Sequence, residues 1–252
     1  MEKNNAIILS HLGMGDMLGF IPAIRKFCND YDQVFIFSKE KNKLNVFEMY
    51  EDVDNLNIIV LDDNENEFQQ VDTYLSSLFK EIGKCDIIKT GLYLGNHNKF
   101  EDLPDNFYLD ADLPLTTYQK YFKLPSRLTS NTSLSKLLDG IDYNFMVGNS
   151  STLDINDKIL EKISNNYLII NPHLNVYEKN HEHYELSQTF LDLKMFDYVN
   201  VIKNAKEVHL IDSSFSLLSK FVSSKKSTKF LYNKSGYKLS SGFFSGWEII
   251  QS

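Results

Sequence analysis

Apolar residues follow two alternating rhythms along the chain. Residues 6–9, Ala6-Ile7-Ile8-Leu9, form a short unbroken apolar run that ends near glycines, the pattern of a strand buried on both faces. Beyond it, Met17, Leu18, Phe20, Ile21, Ile24 and Phe27 recur at helical spacing and predict a helix over 16–29. The same alternation predicts strands at 33–37, 56–61 and 86–93, with helices at 44–50 and 68–82 between them. After an interruption it resumes, with strands at 144–147, 167–171, 208–211 and 229–232 and helices at 155–163, 196–204 and 214–222. Strand–helix alternation of this kind implies α/β architecture with parallel, doubly wound sheets.

The interruption, residues 95–129, holds Pro104, Pro114 and Pro125 and many aromatics. It predicts irregular structure with a helix near 116–122, acting as a linker. Two Rossmann-like domains, 1–128 and 129–252, are therefore expected to face each other across a cleft. No repeat or low-complexity tract disturbs this picture. The chain has 252 residues, enough for two small α/β domains. Its net charge of −8 argues against general nucleic-acid binding, which rests on a basic surface. Cys28 and Cys85 lie in apolar segments without metal-ligand spacing and are expected to be reduced core thiols. The polar first five residues do not have a signal-peptide pattern, and no apolar run reaches the ~18 residues of a membrane span. A cytoplasmic protein is expected, with peripheral membrane contact left open.

Three strand-to-loop junctions carry the chemistry. In His11-Leu12-Gly13-Met14-Gly15-Asp16, glycines after a buried strand permit a tight turn and close approach of a ligand. The helix start beyond them presents unpaired N–H groups. The third glycine of a dinucleotide fingerprint is missing, and Ser38 stands where an acidic residue would end the second strand, so a dinucleotide site is not expected. Asp16 reads as a helix N-cap or as a carboxylate able to accept a hydroxyl proton. Asp212-Ser213-Ser214-Phe215-Ser216 is a second strand end opening a helix, either a plain cap or an anion pocket. Asn171 to His181 is a polar loop after a strand, where ligands of open α/β sheets bind. Its Lys179 is a solvated loop lysine or a point charge for a phosphate.

Metal chemistry finds little footing. His181-Glu182-His183 lies in a loop without the i, i+4 helical spacing of zinc sites. Asp110-Ala111-Asp112 has a carboxylate spacing that can hold a metal, but it follows no clear strand and sits between prolines.

Taken together, Gly15-Asp16 followed by Pro22-Ala23-Ile24-Arg25, the loop ending in Lys179, and residues 202–208 leading to Ile211-Asp212-Ser213-Ser214 resemble glycosyltransferases of the GT-B fold. The resemblance is to the heptosyltransferase-like group (family 9-like) and related bacterial and viral enzymes. Phe107-Tyr108 and residues 118–122 are similar to a linker in some relatives. The resemblance implies Asp16 as general base, with Gly13, Met14, Gly15 and Arg25 on the acceptor side. It implies Lys179 at the donor phosphates, also as a catalytic group, and His173, Asp212, Ser213 and Ser214 around the donor. A nucleotide-diphosphate sugar would be the co-substrate and a glycan, lipid-linked or protein-linked hydroxyl the acceptor. Transfer would be inverting, with no metal and no separate cofactor. One departure stands out: the group's Asp-Ser/Thr-Gly followed by His is here Asp212-Ser213-Ser214-Phe215-Ser216. Two other readings stay open, a nucleotide-sugar epimerase and a non-catalytic sugar- or nucleotide-binding protein of the same fold.

Overall fold

The computed structural model describes residues 4–94, 105–150, 153–163, 166–233 and 244–251. Residues 95–104 of the expected linker lie outside this set. The chain divides into two compact units, Met1–Pro125 and Ser126–Ser252.

The first unit contains strands β1 (Asn5–Leu9), β2 (Val34–Lys39), β3 (Leu56–Leu61) and β4 (Cys85–Lys89). Its helices are α1 (Met14–Gly19), α2 (Ile21–Asp30), α3 (Lys43–Met49), α4 (Glu67–Ile82), α5 (Asp105–Asp110) and α6 (Thr117–Tyr121). The strands are all parallel in the order β3-β2-β1-β4. Winding runs outward from β1 and then jumps back to its other side, so right-handed crossovers put helices on both faces. Alternate residues of β1 serve the two faces. Ile7 and Leu9 pack with Phe37 and Leu61 against Val71 and Leu78 of α4. Ile8 and Ile36 face Met17, Phe20 and Ile24 of the α1–α2 segment.

The expected single helix over 16–29 is two helices. Pro22 has no N–H to give the Leu18 carbonyl and its ring crowds that turn. The chain breaks at Phe20 (φ −98, ψ 0) and restarts with the proline in the first turn of α2. Tyr108 of α5 closes the break, its hydroxyl donating to the Gly19 carbonyl at 2.9 Å and its ring edge-on to Phe20.

The second unit holds α7 (Ser126–Ser130), α8 (Ser133–Lys136), β5 (Tyr143–Val147), α9 (Asn156–Leu160), β6 (Leu168–Ile170) and α10 (Tyr184–Gln188). It continues with α11 (Val199–Asn204), β7 (Glu207–Ile211), α12 (Ser214–Val222), β8 (Thr228–Asn233) and β9 (Glu248–Gln251). Its sheet is parallel in the order β6-β5-β7-β8-β9, so the winding reverses between β5 and β7. Ile155, Ile159 and Ile163 cover one face through Met146, Ile169, Ile211 and Tyr232. On the other face the rings of Phe145, Tyr198 and Phe215 meet at 5.7–5.8 Å. The ninth strand, β9, was not expected. Only Ile249 and Ile250 are apolar there, enough for an edge strand but too few to show a period. β6 is the opposite edge, and the Tyr177 hydroxyl accepts its outward Ile169 N–H at 2.8 Å.

Inside this sheet, His209 of β7 is 1% exposed and stacked on Phe230. Its Nδ1 and Nε2 lie 3.0 Å from the Tyr232 hydroxyl and the Glu207 carboxylate respectively. A carboxylate only accepts, so Nε2 donates to Glu207 and Nδ1 accepts a hydrogen bond from the Tyr232 hydroxyl. Burial lowers the His209 pKa, with Glu207 opposing it. Both cysteines are free thiols, and burial pushes Cys28 up to about 12 against the charge of Arg25. Among the described residues no helix is long and apolar enough to cross a membrane.

Candidate active site

In open α/β sheets ligands bind beyond the carboxyl ends of the strands where the winding reverses. In the first unit that place lies between β1 and β4, and the Gly13–Asp16 turn is there. Gly13 is the residue before α1 in ordinary extended geometry (φ −65, ψ 142), so Asp16 falls in the helix's first turn rather than at its cap. An anion there is favoured by the helix dipole. Gly13 is exposed and Met14, Gly15 and Asp16 are half-buried, leaving the turn open to a ligand. From the β2 side, Asn42 Nδ2 donates to the Leu12 carbonyl at 2.9 Å and pins the loop.

From the β4 side the clamp is His11, which the sequence reading passed over. Leu92 N–H donates to His11 Nε2 at 3.0 Å, and the ring packs on Phe107 at 4.9 Å. An accepting Nε2 carries no hydrogen, so the neutral ring has its proton on Nδ1. That nitrogen faces Asp16 Oδ2 at 3.9 Å. Two glycines make room for the pair. A Cβ on Gly13 would stand 2.6 Å from Asp16 Oδ2, and one on Gly91 (φ +56) would stand 2.4 Å from His11 Nε2. Asp110 holds the Gly91 N–H with its Oδ2 at 2.8 Å, and Asp112 sits at φ 55 in the turn after α5. The Asp110–Asp112 spacing thus reads as a loop clamp. Among the described residues no group of three or more His, Cys, Asp or Glu is placed to hold a metal.

Arg25 is not in the acceptor-side loop. It lies on α2, 8% exposed, with its Nη2 donating to Asp52 Oδ1 at 2.7 Å and to the Met49 carbonyl at 3.0 Å. Lys123 binds the other oxygen of Asp52 at 2.7 Å. Burial raises the Asp52 pKa, and the hydrogen bonds and charges of Arg25 and Lys123 outweigh it, leaving a net lowering.

In the second unit, the ends of β5, β6 and β7 gather the other residues. Ser213 precedes α12 in extended geometry, and Ser216 Oγ closes the turn by accepting Ser213 N–H and donating to its carbonyl. The Ser213 Oγ is buried without a hydrogen-bond partner among the described residues. Asn149 Oδ1, beyond β5, is in the same condition. The first-turn N–H groups of Ser214 and Phe215 have no acceptor within the helix. Asp212 touches solvent, yet the surrounding protein raises its carboxyl pKa by desolvation. His173 approaches this helix start, its ring edge-on to Phe215 at 5.8 Å, and its backbone N–H donates to Asn171 Oδ1. Burial lowers the His173 pKa, with Asp192 opposing.

Lys179 is not joined to this group by any contact among the described residues. It is exposed on a loop whose polar anchors lie elsewhere: Asn175 Oδ1 accepts from Ser187 Oγ and Tyr177 N, and Tyr177 stacks on His181. Phe215 explains the departure from the expected Gly-His pattern. Its side chain is 6% exposed and fills the core with Phe145 and Tyr198 instead of lining a surface.

No family model matches the chain, and no curated protein matches it by sequence. Solved structures do. The ADP-heptose LPS heptosyltransferase II of E. coli superimposes with a TM-score of 0.54 at 9% identity, over 99% of this chain and 90% of that one. The chain has the GT-B-like fold of the heptosyltransferases. E. coli heptosyltransferase WaaC, solved with ADP-2-deoxy-2-fluoro heptose, gives 0.51 at 9% identity over 98% and 93%. The iron-containing dodecameric glycosyltransferase TibC of enterotoxigenic E. coli gives 0.53 at 13% identity. That match covers 92% of this chain but only 58% of TibC.

Proposed function

We propose that the chain is a glycosyltransferase that moves a sugar from a nucleotide-diphosphate sugar to a hydroxyl of a glycan or other acceptor. The observation that carries this reading is the open turn at the winding reversal of the first unit, where Asp16 stands at a helix start beside His11. The first unit supplies the base and acceptor side, and the second supplies the donor pocket. Asp16 Oδ2 takes the proton of the acceptor hydroxyl as its oxygen bonds to the anomeric carbon. The bond from that carbon to the diphosphate breaks through an oxocarbenium-like state, and the configuration inverts. The negative charge left on the phosphate is met by the Ser214 and Phe215 N–H groups and by Ser213 Oγ. Asp212 and His173 are suited to the sugar hydroxyls beside it. Lys179 contributes a mobile positive charge if its loop closes on the donor.

A panel of nucleotide-diphosphate sugars, read first by thermal shift and then by release of the nucleoside diphosphate, tests this. Binding with release, abolished in Asp16→Asn while binding persists, is the expected result. No shift with any nucleotide overturns the reading. The inward Phe215 favours a second one, a non-catalytic binder of the same fold, which predicts a shift without release. Interconversion of the donor sugar in the absence of acceptor would instead mark an epimerase.

A further inference from the structure

We propose that His11 is a positioning residue for Asp16, locked in one tautomer by the main chain of a segment some eighty residues away. The proposal rests on the glycosyltransferase reading for its role in turnover, and on geometry alone for the pair itself.

The lock has three parts. Leu92 N–H fills the lone pair of Nε2 at 3.0 Å, which fixes the hydrogen of the neutral ring on Nδ1. Phe107 supports one side of the ring, and the side chain is only 11% exposed, so a ring flip must break both contacts. Asp110 fixes the Gly91 N–H at 2.8 Å and so sets the peptide that presents Leu92. Out of this frame Nδ1 has Asp16 Oδ2 as a neighbour at 3.9 Å. At 3.9 Å the pair is not yet a hydrogen bond. A carboxylate swing of about 1 Å closes it, and hydrogen bonds of catalytic groups commonly tighten only when substrate is bound. Gly13, with no Cβ, leaves room for Oδ2 where it now stands.

The same frame excludes a relay. Nδ1 already holds a hydrogen and Nε2 is engaged by an N–H, so the ring has no free site for the proton that Asp16 collects. His11 acts through Asp16, by orienting its carboxylate toward the acceptor hydroxyl.

The test uses the full chain labelled with 15N in its histidine rings. Long-range proton–nitrogen spectra are taken of the wild type, Asp16→Asn and His11→Gln, the last to assign the His11 signals. The expected result is a His11 ring protonated on Nδ1, with an Nδ1 signal that moves in Asp16→Asn. A ring protonated on Nε2, or an Nδ1 signal indifferent to Asp16→Asn, overturns the proposal whether or not the protein is an enzyme. The second arm uses whichever donor the panel shows to be turned over. His11→Asn keeps an N–H near the place of Nδ1–H, whereas His11→Gln keeps only the acceptor for Leu92. His11→Gln is expected to lower kcat roughly 10- to 100-fold with the donor KM unchanged, and His11→Asn to restore most of that loss. Equal losses in the two variants with equal melting temperatures overturn the positioning role. Absence of turnover with every donor counts against the glycosyltransferase reading, while the spectra still decide the pair.

Discussion

Gly13→Ala is a clean probe of the site because it disturbs almost nothing except one carboxylate. The backbone there, φ −65 and ψ 142, suits alanine as well as glycine. Losing glycine from the position before a helix costs up to ~1 kcal/mol, and stiffening the unfolded chain returns about 0.4–1 kcal/mol, so folding stability should be nearly unchanged. The new Cβ stands 2.6 Å from Asp16 Oδ2, whereas ordinary contact begins at 3.4 Å, so the carboxylate must retreat by about 0.8 Å. Misplacing a reacting group by ~1 Å costs about 100-fold in rate, or roughly 2.7 kcal/mol of transition-state stabilisation. Release of nucleoside diphosphate from the selected donor, alongside thermal melting, measures both sides. Wild-type turnover in Gly13→Ala would refute the assignment of Asp16. A fall in turnover matched by a fall in melting temperature would refute the claim that only the carboxylate moved.

Gly91→Ala should be far more damaging to the fold. Left-handed backbone (about 1–2 kcal/mol), collision with His11 and Phe107 (about 1–3) and loss of the Leu92 bond (about 0.5–1.5) together predict roughly 3–6 kcal/mol of destabilisation. Gly83→Ala, also at positive φ but with open space around it, should show the backbone strain alone, and equal losses in denaturant titrations would contradict this. Ser213→Ala removes a buried hydroxyl without a partner, so melting should hold or rise while affinity for the selected nucleotide falls roughly tenfold, read by calorimetric titration. Asp52→Asn strips the buried Arg25 of its carboxylate and should cost about 2–4 kcal/mol in urea unfolding. Because the folded Asp52 pKa lies below its ordinary 3.8, its contribution is complete above that value and fades as pH falls below it. His209 has a folded pKa below its ordinary 6.5, so its stabilising contribution is complete above 6.5 and lost as pH falls below that value. Melting of the second unit, followed through the single Trp247, should hold above about pH 6.5 and drop as pH falls below it, and His209→Gln should flatten that slope.

Much of the architecture was legible in local pattern. Eight of the nine strands among the described residues are short apolar runs bounded by turn residues, and burial on both faces of a parallel sheet writes that signal directly into sequence. β9 was hidden because an edge strand needs few apolar residues. The strand-to-helix junctions at Asp16 and Asp212 were visible as glycine and serine following apolar runs. What sequence could not convey was side-chain pairing at long range. Arg25 was expected on the acceptor side, and only the fold shows it paired with Asp52, 27 positions on. His11 had no local signal at all, since its meaning comes from Leu92, 81 positions on. Phe215 occupies a position where the resemblance suggested a polar neighbour, and only the ring cluster with Phe145 and Tyr198 shows why it is aromatic.

Every strand pairing and core contact described for the first unit lies within Met1–Pro125. On a ribosome adding about 5–20 residues per second, the 127 residues of Ser126–Ser252 take about 6–25 s to make. Parallel α/β sheets of this size close in milliseconds to seconds. The first sheet, completed at Lys89, and the helix bearing Phe107 and Asp110 can therefore settle while the rest of the chain is still being translated. β9 follows the other strands of the second sheet in sequence and completes only its outer edge. During synthesis, then, the first unit acquires the Asp16 turn and its His11 clamp before the second unit has a finished sheet.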